Sequence, residues 1–267
     1  MKDVTYLLPC RIETEDRLRN VITSITYIMK CFPEAKVIVK EVDTQSHFSE
    51  SALPRIKSYV KDTSQLKHIF EQSSEKFFHK TRILNDLCIA ADTPILYNHD
   101  VDVVVLKNSH ELAYRAITKE GSDAVYPFGC GIYQWAVTYS DILLDKFLSS
   151  HDGTDADYEV LKDAKVRIPS SIGWGQMITK SCEISAGLWN EEFLSWGAED
   201  CEFYYRLNLF GFKVGRVIDD IYHFEHGRTF NSHYHNPKFQ DNDRLWNWIR
   251  TQDKESLTQY YGKLDYI

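Results

Sequence analysis

The chain lacks four things that would each have named a function class. No apolar run approaches the roughly 18 residues a membrane-spanning helix needs, which excludes an integral membrane segment and leaves only peripheral association open. The six cysteines, at 10, 31, 88, 130, 182 and 201, form no C-x-x-C pair, so a zinc ribbon or a disulfide scaffold is not expected. Buried, reduced thiols are the default reading. Positive charge is not in excess: 31 Lys and Arg against 39 Asp and Glu give a formal net charge of −8. A broad nucleic-acid-binding surface is therefore not expected. The first residues, MKDVTYLLPC, carry an acid at once and no long apolar core, unlike an export signal, so a cytoplasmic, anchor-free protein is the expectation.

What remains suits a packed globular domain: 267 residues, 43% hydrophobic and 13% aromatic. No repeat, low-complexity tract or linker divides it, so one domain over residues 1–267 is expected, with a nucleotide-binding half at 1–106 and an acceptor-binding, metal-completing half at 107–267. Short β-branched runs alternate with helical periodicity. Strands are predicted at 4–8 (stopping at Pro9), 35–39, 94–97, 103–106 and 124–128. Helices are predicted at 13–30, with Thr14 as cap, at 77–91, and at 109–117, with Ser109 as cap. Further on, 151–168 reads as a surface loop or short helix, 171–179 as containing a strand, and 198–210 as a helix. Short strands at 213–216 and 221–223 and closing helices at 242–251 and 255–261 complete the reading. This alternation implies a Rossmann-like, mainly parallel sheet with helices on both faces. Ligands of such sheets bind outside the carboxyl ends of the strands, where Pro9–Arg11 and Asp100–Asp102 fall.

Three constellations carry chemistry. In LYNHDVDVVV, Asp100 and Asp102 sit two apart at a strand end, so alternation turns both carboxylates to one side. With His223 and His226 of YHFEHGR they make a carboxylate–imidazole set that suits Mn²⁺, Zn²⁺ or Fe²⁺ better than Ca²⁺. His233 and His235 are a competing pair in a longer polar loop. In WGAED, Gly197 allows close backbone approach beside Trp196, an aromatic face for a sugar ring, and Glu199 and Asp200 open a helix. One of these two acids can act as general base while the other orients the acceptor. The third group is basic: Arg11 after the first strand, and Lys80 and Arg82 at a helix start, are phosphate contacts in an otherwise acidic chain.

The order PCR, FHKTRILN, DVD, GWG, WGAEDCEFYYRL, HFEH resembles the β-1,4-galactosyltransferase family, and is similar to the related chondroitin-type and polypeptide GalNAc-transferases. The resemblance runs from about Tyr6 to about Arg228. It implies the GT-A fold and an inverting, metal-dependent transfer of a hexose or N-acetylhexosamine from a UDP-sugar to a glycan hydroxyl. It implies that Pro9 and Arg11, then Phe78, Lys80 and Arg82, bind the uridine nucleotide. Asp100 then meets the donor sugar or ribose, and Asp102, His223 and His226 hold Mn²⁺. Gly173, Trp174, Trp196 and Gly197 shape the donor and acceptor loops, with Asp200 as base and Glu199 beside it. Departures are Ile12 and Glu13 in the opening motif, Ala198 where the family has glycine, Cys201 where it has a third acid, and GWG in place of Y-F-G-G. The rival readings are a retaining GT-A transferase and a non-catalytic nucleotide-sugar or glycan-binding module.

Overall fold

A computed structural model describes residues 1–264 apart from 139, 151–155, 162–164 and 167–170, with backbone alone at 165–166. In chain order the elements are β1 (Val4–Cys10), α1 (Glu15–Cys31), β2 (Lys36–Asp43), α2 (Leu53–Tyr59), β3 (Leu66–Gln72), α3 (Lys80–Ala90), β4 (Ile95–His99), β5 (Val103–Val105), α4 (Lys107–Glu120) and β6 (Ala124–Tyr126). Then follow β7 (Gln134–Val137), α5 (Asp141–Ser150), β8 (Lys165–Val166), β9 (Gly175–Thr179), α6 (Lys180–Ser185), α7 (Glu199–Phe210), β10 (Val214–Arg216), β11 (Ile221–Phe224), α8 (Pro237–Ile249) and α9 (Lys254–Tyr261).

Seven strands form a mixed sheet in the order β10-β6-β9-β4-β1-β2-β3. The β3-β2-β1-β4 run is parallel, and β9 runs antiparallel between β4 and β6. Strand alternation sorts the core. Tyr6 and Leu8 of β1 pack on the α1 stripe Leu18, Val21, Ile22, Ile25 and Ile28, while Leu7 turns to Ile83, Leu84 and Leu87 of α3. The result is one domain with helices on both faces of the sheet.

β5 does not join this sheet. It pairs antiparallel with β11 in a second sheet of order β5-β11-β7-β8. The turn 100–102 is therefore the joint between the two sheets. Its ends are pinned by Asp100 N–H to the Trp174 carbonyl at 3.1 Å and by Phe224 N–H to the Asp102 carbonyl at 2.8 Å.

Several boundaries differ from the sequence reading. β1 runs through Pro9 to Cys10, because β4 pairs with it only as far as Leu7 and nothing on that side needs a Pro9 donor. α3 starts at Lys80, leaving 77–79 as an arm toward the site. α4 starts at Lys107 with no side-chain cap, and the Ser109 hydroxyl donates instead to Asp219 at 2.7 Å. α8 starts five residues earlier than read, capped by Asn236 with Pro237 at its first position. Of 151–168, the described part holds a short turn of helix at Tyr158–Leu161 and β8; the rest lies outside the described residues. Cysteines 10, 31, 88 and 182 are buried thiols as expected, but Cys130 is exposed and Cys201 half-buried; none of the six is in a disulfide.

Candidate active site

The carboxyl ends of β1 and β4, the starts of α3 and α7, and the segment after β11 enclose a cleft of about 820 Å³. Pro9, Arg11, Phe78, Lys80, Asp100, Asp102, Gly173, Trp174, Trp196, Gly197, Glu199, Asp200, His223 and His226 all line it. Arg82 does not. Two positions along a helix point to different sides, so Lys80 faces the cleft while Arg82 turns to Glu71 at 2.6 Å and Asp86 at 3.7 Å. That geometry does not place Arg82 where the expected phosphate contact would be.

At one end of the cleft, the β5–β11 register opposes His223 to Val103 and so sets it beside Asp102. Asp102 Oδ2 lies 3.6 Å from His223 Nε2 and 3.2 Å from His226 Nε2. One donor atom from each of the three residues falls within a 4.8 Å span. His226 Nδ1 lies 3.0 Å from the Gly227 carbonyl, and its Nε2 faces Asp102 Oδ2. Asp102 Oδ1 is buried with no hydrogen-bond partner among the described residues. Two imidazole nitrogens gathered on one carboxylate, with an orphaned oxygen on that carboxylate, fit a divalent cation. Burial pushes the Asp102 carboxyl up, but the two imidazoles outweigh it and hold the group well below the usual range, as a ligand requires. His233 and His235 stack on each other with ring centroids 4.5 Å apart and are not part of this cluster.

Trp174 holds the cluster from behind. It is 7% exposed, adopts a left-handed φ of 93°, and stacks on the His223 ring at 5.4 Å. Such strain at a functional site costs on the order of 1–3 kcal/mol and persists only when its surroundings demand it. The Trp174 carbonyl also receives the Asp100 N–H. Titrating paramagnetic Mn²⁺ into the protein should quench Trp174 emission. Trp174→Leu should lose that part of the quench and bind Mn²⁺ roughly 10-fold more weakly, in the range found for outer-shell partners. Unchanged affinity would show that the stack does not support His223.

At the other end, Ser195, Gly197 and Ala198 take positive φ values of 64°, 130° and 67°. This bend delivers Glu199 and Asp200 to the start of α7. Ala198 stands in a conformation that favours glycine. Glu199 folds back, its Oε2 accepting the Gly197 N–H at 3.2 Å and its Oε1 lying 3.5 Å from Lys80 Nζ. It shapes the loop. Asp200 faces the cleft, 3.5 Å from Lys80 Nζ. Burial, with Glu199 and Asp100 adding to it and Lys80 opposing, pushes the Asp200 carboxyl up to about 7. The Lys80 ammonium is 3.0 Å from Asp100 Oδ1; burial works against its charge, but Asp100, Asp200 and Glu199 together raise its pKa well above the lysine range.

Gly173 exists to admit Asp200: a Cβ there would lie 2.8 Å from Asp200 Cγ and closer still to Oδ2. Gly173→Ala should therefore displace the carboxylate and cut turnover about 10²-fold. Steady-state kinetics beside a thermal melt checks this; unchanged turnover would show that Asp200 tolerates the shift.

Some lining residues carried no sequence signal. Asn231 Oδ1 accepts from Phe78 N–H at 2.9 Å and Ser195 Oγ at 3.0 Å, and its Nδ2 donates to Glu13 at 3.1 Å. One side chain thus ties the start of α1, the 77–79 arm and the 195–198 bend. Phe239, from α8, stacks under half-exposed Trp196 at 5.3 Å.

No protein-family model and no curated protein sequence matches the chain. Solved structures do match. S. aureus TarS in complex with UDP-GlcNAc superposes with a TM-score of 0.61 at 15% identity over 94% of this chain and 67% of that one. A mannosyltransferase from Pyrobaculum calidifontis, in complex with GDP-Man and Mn²⁺, gives 0.58 at 13% identity, covering 94% and 65%. The catalytic domain of Drosophila β1,4-galactosyltransferase 7, complexed with xylobiose, gives 0.51 at 14% over 94% and 80%. The fold is the GT-A fold. The chain spans about two thirds of the length of the first two proteins. Among the described residues, no helix is long and apolar enough to cross a membrane.

Proposed function

We propose that the protein is an inverting, divalent-metal-dependent glycosyltransferase that moves a hexose or N-acetylhexosamine from a UDP-sugar to a glycan hydroxyl. The observation that carries the reading is the pairing, in one cleft, of the Asp102–His223–His226 cluster with the buried, raised carboxyl of Asp200. A pure binding module needs no such base.

Asp102, His223 and His226 would hold the metal, which when bound neutralises charge on the diphosphate leaving group. The half 1–106 supplies the nucleotide side. Arg11 is anchored by its Nε–H to the Val42 carbonyl at 2.9 Å and lies over the Phe78 ring at 5.5 Å, a rigid platform for the nucleotide. Lys80 orients Asp100 toward the donor's sugar or ribose side. The half 107–267 supplies the acceptor side. Trp196, backed by Phe239, offers a flat apolar face on which the acceptor ring stacks. Asp200 accepts the proton from the acceptor hydroxyl as that oxygen attacks the anomeric carbon from the face opposite the leaving group.

A panel of nucleotide sugars with Mn²⁺ tests the donor. A true UDP-sugar at 100 times its dissociation constant stabilises the fold by about 2.7 kcal/mol through mass action, seen as a raised Tm. Stabilisation by GDP-sugars with none by UDP-sugars would overturn the donor assignment. NMR of the product's anomeric configuration decides inversion.

A further inference from the structure

Behind Lys80 and Asp200 the cleft ends in a chamber of about 10 Å³, bounded by Leu84 and Trp189 on the apolar side and by Asn98, Gln176, Lys80, Asp100 and Asp200 on the polar side. That volume matches a single water. Asn98 and Gln176 are cross-strand partners of β4 and β9, each 3% exposed. Asn98 Oδ1 and Gln176 Nε2 are both buried without a hydrogen-bond partner among the described residues. The Asn98 amide is oriented by its Nδ2–H, which donates to Glu183 at 2.9 Å, so Oδ1 is the atom left over. Lys80 makes one short contact, to Asp100, while its approaches to Glu199 and Asp200 are 3.5 Å. The two 3.5 Å hydrogen bonds are at the limit of length, and a closer acceptor can displace one of them.

An orphan acceptor, an orphan donor, a cation and a carboxylate around a one-water space make a complete tetrahedral set. We propose that this chamber holds one ordered water, which accepts from Gln176 Nε2 and Lys80 Nζ and donates to Asn98 Oδ1 and the Asp200 carboxylate. Gln176 and Asn98 are then positioning residues: they never touch substrate, and through the water they fix the Lys80–Asp200 pair. The Gly175 backbone beside them has no room for a side chain, since a Cβ would sit 2.9 Å from the Asn98 carbonyl, so backbone closes the chamber at that point.

A crystal structure of the full chain at about 1.5 Å or better should show one water within about 3 Å of both Asn98 Oδ1 and Gln176 Nε2. Gln176→Met, close in size but without the donor, should expel it. The kinetic consequence rests on the reading of Asp200 as base: kcat falls about tenfold or more, while KM for the UDP-sugar moves less than about twofold. If Gln176→Met does not fold, Gln176→Asn, which withdraws the amide by one methylene, reads the same split. A dry chamber in the wild-type crystal, or a variant with unchanged kcat, overturns the inference. A wild type that transfers no sugar defeats the proposed activity instead and leaves the water to be judged by the crystal alone.

Discussion

Asp200→Asn should lower kcat by about 10²–10⁴-fold, the usual contribution of a general base, while donor affinity stays near wild type. The asparagine keeps the size of the side chain, so Gly173 still accommodates it and the start of α7 is undisturbed. What it loses is a site for the acceptor's proton. The pH profile sharpens the test. Burial, with help from Glu199 and Asp100 and against the pull of Lys80, pushes Asp200 up to about 7. The base form exists above that value, so wild-type kcat should climb as pH rises from about 6 to 8 and then level. In the variant the residual rate should lack this limb. An Asp200→Asn enzyme with near-normal turnover, or one that keeps the same rising limb, would assign the base elsewhere.

Asp102→Asn should weaken Mn²⁺ binding by more than the about 10–100-fold that outer-shell partners cost, since it removes a direct charge from the cluster. Calorimetry or electron paramagnetic resonance on the protein with Mn²⁺ alone measures this without reference to any reaction. The wild type should also melt at a higher temperature with Mn²⁺ than with chelator, and the variant should not respond. His226→Ala should behave the same way, because its Nε2 faces Asp102 Oδ2. Unaltered Mn²⁺ affinity in either variant would remove that residue from the ligand set.

The parallel half of the fold was legible because fully buried strands read as short apolar runs. LLP in β1, VIV in β2 and ILY in β4 announce themselves. β3 was missed because it lies at the sheet edge, half-buried, with Lys67, His68 and Glu71 breaking the apolar pattern. α2 was missed because Pro54 reads as a breaker, although it sits harmlessly in the first helical turn. In the site, residue types and order predicted which groups meet, because Asp102, Asp200 and His226 belong to short motifs. Direction was not legible. Lys80 and Arg82 looked equivalent in sequence, and only the helix phase separates them. The residues alone left open which of Glu199 and Asp200 is the base, and only the resemblance singled out Asp200; in the fold Glu199 turns back to brace its own loop. Asn231, Asn98 and Gln176 meet partners far away in sequence, and no local pattern marks such residues.

The departure of β5 from the large sheet has a consequence for how the molecule assembles. Asp102 meets His223 only after the chain has travelled through α4, β6, β7, α5, β8, β9, α6, α7 and β10 and returned as β11 beside β5. Contacts of such long sequence separation form late, since loop closure precedes their reward. On the proposed reading, metal binding would report completion of the topology: a chain ending before residue 226 has both aspartates of the 100–102 turn, yet lacks His226 of the ligand set.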